Sequence, residues 1–576
     1  MCGNNDMTLA RACKGKTGFI LVLLAVEALI AMSPLQSSVW FCTHDGALHL
    51  DRLFAVTHEM RSGDFYPRWL STACFGKGLP IFNYYSPAFY LIAGWLHLLG
   101  IPLVTVLKVI TFAIFFSGSW GMYLWVKKSC NESGALIAAT IYMFLPYHFL
   151  NLYVRGAFPE FMALALLPYL FHAIDISLSS KENINGPLLA AVITAAIILT
   201  HNLSALMIAP FALLMFGWRA CTWKAPLRTI VTTAVGPVLG AGLSAFYWLP
   251  VIAETHYLDR FKVTLTSGYL FYEKHFVNPS QWFSSFWGFG LSGMGPENGM
   301  SFQLGYALLA VSIIAALSFL SASTNRNFGA ITLSLGLLGL FFTTALSSIF
   351  YELIPWYQYV QFPWRFLGVS TLFFAAFTGL STSSGLAKRF SWIPKVLLGT
   401  VILLCLVFSM KQRDVPQKTT EDLNRLEKTK IEEKTIGRLG SRNEFRPMWV
   451  PSYAPEDARF SPVISIDTST QLSDVAIKGT MMFFRAAKTD DAPIMISWYY
   501  FPGWQVEVDG VREKVTPVPR GRYRGFVSVP VPAGTHTVRL WFGSTWPRIL
   551  GWLIACITII TIVVLARLKS AKDKII

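Results

Sequence analysis

The amino-acid sequence predicts a polytopic α-helical membrane protein, with about twelve transmembrane helices and one soluble β-sandwich domain near its C-terminus. The first observation is composition: of 576 residues, 53% are hydrophobic and 14% are charged, whereas an ordinary soluble domain is roughly 25% charged. The second is a series of apolar stretches, most of them near the ~20 residues that cross a bilayer. The third is a change to alternating, strand-like patterning after Val463.

The membrane part is predicted to cover residues 1–410, and residues 546–576 add a last span and a basic cytoplasmic tail. The first span runs from about Thr17 to Ser33. Basic residues precede it and no A-x-A cleavage site follows, which indicates an uncleaved anchor with its N-terminus inside. A polar break at His201-Asn202 divides one long apolar stretch into two helices. The spans after the first are centred in 105–126, 133–150, 160–178, 187–201, 203–217, 229–251, 302–321, 328–350, 364–382, 391–410 and 546–567.

One short apolar stretch, 87–99, sets the direction of every later span. If it does not cross the membrane, the basic loops lie inside, as the positive-inside rule requires. If it crosses, the loops from Lys127 to Arg326 move outside, against the rule. We therefore predict an interfacial or re-entrant segment at 87–99, both termini inside, and outer loops at 38–85 and 252–301. The basic residues placed inside are Lys127, Lys128, Lys181, Arg219, Lys224, Arg228, Arg326, Lys388, Arg389, Arg567, Lys569, Lys572 and Lys574.

The chain between the last two spans is predicted to lie outside. Residues 411–454 carry charges of mixed sign, which indicates a solvated helix or linker. Residues 455–545 are predicted to form a β-sandwich that folds on its own, because short alternating runs follow one another with turn residues between them. Its aromatic residues either stack on sugar rings or form the core. The alternating runs are Ile494–Tyr500, Trp504–Val508, Phe526–Val529 and Thr537–Phe542, and the turns are Asp509-Gly510 and Ala533-Gly534.

Charge and cysteine content exclude two other classes of protein. The net charge of +16 is what the positive-inside rule produces in a membrane protein, and no basic patch interleaves with nucleic-acid motifs, so nucleic acid is not a predicted partner. The eight Cys residues have no CxxC or CxxH spacing, which argues against a zinc or redox motif. Cys42 and Cys74 are the only two placed in an outer loop, and they form either a disulfide or two buried thiols; we predict the disulfide.

The first outer loop concentrates groups that can do chemistry. Asp45, His49 and Arg68 lie close to the membrane surface beside glycine-rich backbone, a combination that can bind a phosphate and activate a hydroxyl. The alternative is that His49 and His58 lie on a solvated helix face and that Arg68 anchors at headgroups. Asp51 is interpreted as one half of a solvated ion pair with its neighbour Arg52.

Six sequence motifs stand out in this chain: Thr43-His44-Asp45-Gly46-x-x-His49, Tyr66-Pro67-Arg68-Trp69, Gly76-x-Gly78-x-Pro80, Tyr84-Tyr85-Ser86-Pro87, Gln361-Phe362-Pro363-Trp364-Arg365-Phe366 and Phe501-Pro502-Gly503-Trp504-x-Val506-x-Val508-Asp509-Gly510. They resemble a family of bacterial membrane proteins labelled as related to 6-pyruvoyl-tetrahydropterin synthase, together with its YfhO-like neighbours. The zinc site of the soluble pterin enzyme has no counterpart in this sequence. The architecture is similar to the GT-C superfamily of glycosyltransferases, and this resemblance implies a polyprenyl-phosphate-linked sugar as donor.

The resemblance also implies site residues. Asp45 occupies the loop position of the superfamily acid, which serves as base or metal ligand, and Glu160 lies in the outer loop of the second acidic position. With His49 they form the predicted catalytic group. The first loop holds no Asp-x-Asp pair, so the sequence leaves open whether a divalent cation is a cofactor. The predicted phosphate ligands, chosen by charge and side of the membrane, are Arg68, Lys77, Arg155 and Arg365.

These observations together predict a transferase in the bacterial inner membrane. It moves a sugar from a polyprenyl-phosphate carrier to a cell-envelope acceptor (a glycan, lipid or protein) on the outer face, in contact with membrane lipids. Two alternatives remain: a lipid or glycan transporter that uses the same helices as a groove, and a scaffold that binds a glycan without turnover. A transporter should need charged residues deep within its spans, whereas here the candidates cluster near the outer surface.

Overall fold

The structure is a computed structural model, and it describes residues 3–573 apart from a few segments. The predicted boundary at 454–455, and the loop residues Lys181 and Lys388, lie outside the described residues. The segments left out are 37–39, 180–184, 260–265, 322–324, 385–386, 388, 414–418, 421–422, 433–435, 438–443, 452–462 and 465–469.

The membrane part is helical, as predicted. One predicted division is confirmed in detail: His201 is extended between two helices, and its Nδ1 accepts a hydrogen bond from the backbone N–H of Ser204, which caps the second helix. The helices longer than four residues in this part are Gly3–Ala31, Gly46–Arg61, Ala88–Leu98, Leu103–Val126, Glu132–Met143, Phe158–Ser179, Asn185–Thr200, Asn202–Thr222, Leu227–Leu243, Ala245–Glu254, Tyr306–Ser321, Arg326–Thr343, Ser348–Leu353, Phe366–Thr378 and Ile393–Ser409. The four-residue helix Pro146–Phe149 leads into a π-helical turn, Leu150–Arg155.

A polytopic architecture is confirmed, while the number of spans stays a prediction. Among the described residues, 6 helices are long and apolar enough to cross a membrane, or 7 if the pair Leu227–Leu243 and Ala245–Tyr257, bent by 66°, is one span. Further apolar helices of 10–17 residues are too short to be identified as spans by length alone. The six are Leu103–Val126, Glu132–Arg155, Phe158–Ser179, Asn202–Thr222, Arg326–Thr343 and Trp546–Leu568.

Close helix packing in this part depends on small residues. Gly236 and Gly240 are four residues apart on one helix and face the Asn185–Thr200 helix. A Cβ at Gly236 would lie 2.7 Å from the carbonyl oxygen of Pro187, and one at Gly240 would lie 2.6 Å from that of Ala191. Only glycine permits this approach, which is the small-xxx-small arrangement of membrane helices.

The loops predicted to lie inside meet one another at one end of the bundle. The Arg219 guanidinium contacts the Asp175 carboxylate and the Ser129 hydroxyl, both at 2.9 Å. Thr382 Oγ1 donates to Asn131 Oδ1 at 2.7 Å, so a fourth loop joins the same group. The predicted inner loops therefore share one face of the protein.

The predicted outer loops, 38–85 and 252–301, and the C-terminal domain meet at the opposite end of the helical bundle. We call this end the site face. The 87–99 segment forms the helix Ala88–Leu98, which has 11 residues and is thus about 16 Å long, well short of the ~30 Å hydrocarbon core. Its C-terminal His97 contacts Arg61 at 2.8 Å, at the end of the first-loop helix. Both ends of this helix therefore adjoin the first loop, which agrees with an interfacial or re-entrant segment, and that it does not cross the membrane stays a prediction.

The C-terminal domain consists of two antiparallel sheets, which confirms the predicted β-sandwich. Side chains alternate: Met482 and Phe484 are buried, whereas Phe483 between them points outward. Trp498 of one sheet stacks on Trp504 of the other with ring centres 5.1 Å apart, so the two inner faces share a core. The five-stranded sheet has the order Gln471–Lys478, Met481–Lys488, Gly534–Phe542, Trp504–Val508 and Val511–Glu513, and the four-stranded sheet has the order Val463–Ile464, Ile494–Tyr499, Phe526–Val529 and Thr516–Pro517.

This domain packs on the first loop. The fully buried Trp69 lies with its ring centre 5.4 Å from those of Trp504 and Phe542. The backbone N–H of Tyr499 donates to the carbonyl oxygen of Lys77 at 2.8 Å. The last helix, Trp546–Asp573, follows directly.

The linker differs from its prediction. Its helix, Leu423–Glu432, is present but is not solvated all round, because one face packs on the first-loop helix Gly46–Arg61. Glu427 accepts hydrogen bonds from Thr57 Oγ1 at 2.9 Å and from Arg61 Nη1 at 2.8 Å. Asp51 is paired with Lys430 of this helix, so the predicted pair of Asp51 with Arg52 is wrong.

The predicted disulfide is also wrong, because neither Cys42 nor Cys74 is bonded to another cysteine. Cys74 is buried against the C-terminal domain, with its Sγ 4.0 Å from the hydroxyl of Tyr499.

Candidate functional site

A cavity of about 630 Å³ opens on the site face. The first loop, the 266–302 segment, the turn 361–365 and residues 444–445 of the linker all contribute to its wall. Its charged or titratable lining residues are His44, Asp45, His49, Arg52, Arg155, His201, Arg365 and Glu444, together with four tyrosines. The apolar part of the wall includes Leu203, Leu206, Val251, Ile252, Leu291 and Trp356.

Asp45 is held in the cavity wall by its backbone. The N–H groups of His44 and Asp45 donate to the carbonyl oxygens of Val154 and Arg155, at 3.0 and 2.7 Å. Asp45 sits at the N-cap of the Gly46–Arg61 helix, yet its side chain makes no capping hydrogen bond. The carboxylate therefore stays available to the cavity, with Arg155 as its charged neighbour.

The π-helical turn Leu150–Arg155 brings Arg155 to this position. A π-turn inserts an extra residue, and such turns are frequent at functional sites. The turn ends at Gly156, which has φ +68°. A side chain at Gly156 would collide with Thr43, so only glycine lets the first loop approach this turn.

Glu160 lies behind the cavity wall and organises two of its arginines. The buried Glu160 carboxylate accepts a hydrogen bond from Arg155 Nη1 at 2.9 Å and lies 3.3 Å from Arg365 Nε. The Tyr147 hydroxyl donates to it at 2.6 Å. The Arg155 guanidinium also lies 4.6 Å from the ring centre of Trp364. This arrangement fixes two guanidinium groups side by side, and it places Glu160 in contact with them rather than in the cavity.

Arg52 supplies a third guanidinium, from the first-loop helix. It is buried, lies 4.0 Å from the ring centre of Tyr85, and donates to the Tyr90 hydroxyl at 3.4 Å. His49, one turn earlier, contacts the same hydroxyl through Nδ1 at 2.6 Å. Burial, reinforced by the nearby guanidinium groups of Arg52 and Arg155, holds the pKa of His49 well below its ordinary value.

Two predicted phosphate ligands do not join this group. Arg68 donates to the carbonyl oxygen of Phe246 at 2.6 Å and to Asn83 Oδ1 at 3.3 Å, so it ties the first loop to a membrane helix. Lys77 is buried beside Phe75 in the contact with the C-terminal domain. The structure thus brings together Asp45, His49, Arg155 and Arg365, with Glu160 behind them, and leaves Arg68 and Lys77 elsewhere.

Sequence reasoning missed Arg52, His201 and Glu444. For Arg52 a signal was present: Asp45, His49 and Arg52 follow one another at helical spacing of four and three residues, which places them on one face. His201 was interpreted only as a helix break. Glu444 has no local signal, because it reaches the cavity through the pairing of residues 446–448 with 257–259.

No metal centre is evident among the residues that the structure describes, since no three His, Cys, Asp or Glu side chains there converge closely enough to hold an ion. The charges that this part of the chain does gather in the cavity wall are mainly cationic, which suits an anionic ligand.

A family model described as "6-pyruvoyl-tetrahydropterin synthase related domain; membrane protein" matches residues 82–413, more than half of the chain. The chain belongs to this family. The resemblance inferred from the sequence motifs is thereby confirmed. No curated protein matches the chain.

Two solved structures are similar to this family member, each over 69% of its length. One is the arabinofuranosyltransferase AftD from Mycobacteria, with 16% identity and a TM-score of 0.42, and the match covers 28% of that chain. The other is the oligosaccharyltransferase of Archaeoglobus fulgidus in its apo form, with 12% identity and a TM-score of 0.45, and the match covers 56% of that chain. The chain therefore spans less than two thirds of either protein.

Proposed function

We propose that this protein transfers a sugar from a polyprenyl-phosphate carrier to a cell-envelope acceptor, on the outer face of the bacterial inner membrane. The observation that carries the proposal is one cavity in which a carboxylate, Asp45, and three arginines meet an apolar wall. The arginines suit a phosphate, the apolar wall suits a lipid chain, and the carboxylate suits a proton transfer.

The donor phosphate is assigned to Arg52, Arg155 and Arg365. Guanidinium groups bind phosphate through paired, charge-assisted hydrogen bonds. The lipid chain is assigned to the apolar side of the cavity, where Ile252, Leu291 and Trp356 remain 63%, 60% and 60% exposed. Large apolar side chains left exposed beside a cavity suit contact with lipid.

The reaction forms one bond and breaks another at the same carbon. The acceptor hydroxyl oxygen attacks the anomeric carbon of the donor sugar, and its proton passes to Asp45. The bond from that carbon to the carrier phosphate breaks, and its electron pair leaves with the phosphate. The arginines stabilise the negative charge that develops there. Glu160 acts as a positioning residue, because it holds Arg155 and Arg365 and does not line the cavity.

The catalytic assignment is tested with Asp45→Asn in a strain that lacks the gene. Loss of a general base costs about 10²–10⁴-fold in rate, so the variant should insert and remain as stable as wild type yet fail to restore the envelope glycan seen by mass spectrometry. Asp51→Asn is the matched control, since Asp51 pairs with Lys430 outside the cavity. A stable Asp45→Asn protein that restores the glycan would refute the base and leave the transporter as the better interpretation.

The donor assignment is tested by binding. Full-length protein in nanodiscs is titrated with farnesyl phosphate, and farnesol is the uncharged comparison. Because hydrogen bonds to charged groups contribute about 1.5–3 kcal/mol, Arg52→Gln should weaken binding of the phosphate by about 10- to 100-fold and leave farnesol unchanged. Arg539→Gln, on the outer face of the five-stranded sheet, should bind as wild type does. Binding of farnesyl phosphate that is unaffected by Arg52→Gln would refute the assigned phosphate site. Binding without transfer by wild type would indicate the scaffold.

A further inference from the structure

Three side chains at the cavity wall form a short hydrogen-bonded chain: Arg52, Tyr90 and His49. Arg52 Nη1 lies 3.4 Å from the Tyr90 hydroxyl, and His49 Nδ1 lies 2.6 Å from it on the other side. Arg52 and His49 come from the first-loop helix, and Tyr90 comes from the Ala88–Leu98 helix packed beside it. The hydroxyl of Tyr90 is therefore shared between a cation and an imidazole.

The direction of each hydrogen bond follows from donor chemistry and distance. A guanidinium can only donate, so the Tyr90 oxygen accepts from Arg52. The Tyr90 hydroxyl has one proton of its own to donate, and His49 Nδ1 lies 2.6 Å from its oxygen, close enough to accept it. Tyr90 therefore donates its proton toward Nδ1, and His49 Nδ1 is the acceptor.

A neutral imidazole carries one proton, so an accepting Nδ1 places that proton on Nε2. His49 lines the cavity, and its Nε2 makes no hydrogen bond within the part of the chain that the structure describes. The N–H of Nε2 is thus the group that His49 can offer to a ligand.

We propose that Tyr90 fixes His49 as the neutral Nε2–H tautomer, so that His49 donates a hydrogen bond to the substrate and does not act as a base. This revises the catalytic role predicted for His49 and leaves proton acceptance to Asp45. The identity of the substrate rests on the proposed function, whereas the tautomer itself does not.

The surroundings of His49 oppose a second proton. The charged groups that disfavour an imidazolium there are Arg52, on its own helix, and Arg155, whereas His201 does so only when it is itself protonated. The other neighbours that pack against its ring, Tyr85 and Phe158, carry no charge at neutral pH. Asp45, one turn earlier, accepts the backbone N–H of His49 with its carbonyl oxygen. The low pKa of His49 agrees with this environment.

Tyr85 provides the competing arrangement, because its hydroxyl also interacts with that of Tyr90. If Tyr90 donated to Tyr85, His49 would place its proton on Nδ1 and offer Nε2 as a base. The two arrangements differ in which nitrogen carries the proton, and a spectroscopic measurement separates them without any assumption about activity.

The test is nitrogen NMR of full-length protein in nanodiscs, labelled with ¹⁵N-histidine, with the His49 signals located by their loss in His49→Gln. In the wild type we expect a protonated Nε2 and an unprotonated Nδ1, unchanged between pH 6 and pH 8. Tyr90→Phe should shift His49 toward a mixture of tautomers. Tyr153→Phe is the matched control, since it removes a buried hydroxyl that donates to the carbonyl oxygen of Ala31, and it should leave His49 as in wild type.

A wild-type His49 protonated on Nδ1, or on both nitrogens at pH 7, would overturn the proposal. The wild-type spectrum decides this even if Tyr90→Phe fails to fold. If the expected tautomer is found but farnesyl phosphate does not bind, the proposed function fails and the tautomer assignment stands.

Discussion

The Glu160 carboxylate offers the sharpest test of how the site is held together. It is 4% exposed and is the shared counter-ion of Arg155 and Arg365, at 2.9 and 3.3 Å. Glu160→Gln keeps the shape of the side chain and removes its charge. Two guanidinium groups would then lie side by side in the wall without this carboxylate.

The expected cost follows from the burial of this group. Removing one partner of a buried ion pair typically destabilises a protein by about 3–5 kcal/mol, because the remaining charge is left uncompensated. Breaking an exposed pair costs about 0–1 kcal/mol. Lys127 and Glu132 form such an exposed pair, at 3.2 Å with side chains 46% and 44% exposed. Glu132→Gln is therefore the matched control.

The assay is thermal unfolding of the purified protein in detergent, followed by tryptophan fluorescence. Glu160→Gln should unfold at a clearly lower temperature than wild type, and Glu132→Gln at nearly the same temperature. Farnesyl phosphate should stabilise Glu160→Gln more than wild type, because the phosphate replaces the lost negative charge. A Glu160→Gln protein as stable as wild type, and no more responsive to the ligand, would refute the counter-ion role.

Three further predictions concern the frame around the site. Gly156→Ala should destabilise the protein by more than about 1 kcal/mol, because the residue needs a positive φ and would collide with Thr43; Gly399→Ala, with open space around it, is the control in the same unfolding assay. Burial raises the pKa of Glu59 from 4.5 to about 7, so the folded state holds a proton that the unfolded state has lost, and stability should fall as pH rises from about 4.5 to beyond 7. At about 1.4 kcal/mol per pKa unit, the total loss of stability amounts to roughly 3 kcal/mol. Unfolding measured across this pH range should show that Glu59→Gln removes the dependence. Residues 455–545 expressed alone should give a β-type circular dichroism spectrum and melt cooperatively; an unfolded chain would mean that its core depends on the first loop.

Much of the fold could be predicted because its signals are local. The length of each apolar stretch predicts a helix, and the charge of each loop predicts the end of the helical bundle at which it lies. Alternating apolar and polar residues predict strands such as Trp504–Val508, whose inward residues are buried. The strand Gln471–Lys478 was not recognised as a separate element because nearly all of its side chains are exposed. An exposed edge strand has no apolar periodicity to detect.

The site was only partly predictable, because the charge of a residue and its side of the membrane do not show which way its side chain points. Arg68 and Arg52 lie in the same loop, yet Arg68 turns to a backbone carbonyl of a membrane helix and Arg52 turns to the cavity. The convergence of Arg155 with Arg365 joins segments more than 200 residues apart. Only tertiary packing, organised by the carboxylate between them, brings these two side chains together.

The linker shows why a mixed-charge segment is not always a solvated one. Its charged residues form ion pairs with the loops that it crosses: Glu427 pairs with Arg61, and Arg446 pairs with Asp259. The second contact is accompanied by backbone hydrogen bonds of residues 446–448 with 257–259, which fix the neighbouring Glu444 in the cavity wall. A charged linker whose pattern matches the charges of a nearby loop is therefore better interpreted as a docked segment. Here docking adds Glu444, a second carboxylate in addition to Asp45, to a cavity that the membrane part alone would line mainly with cations.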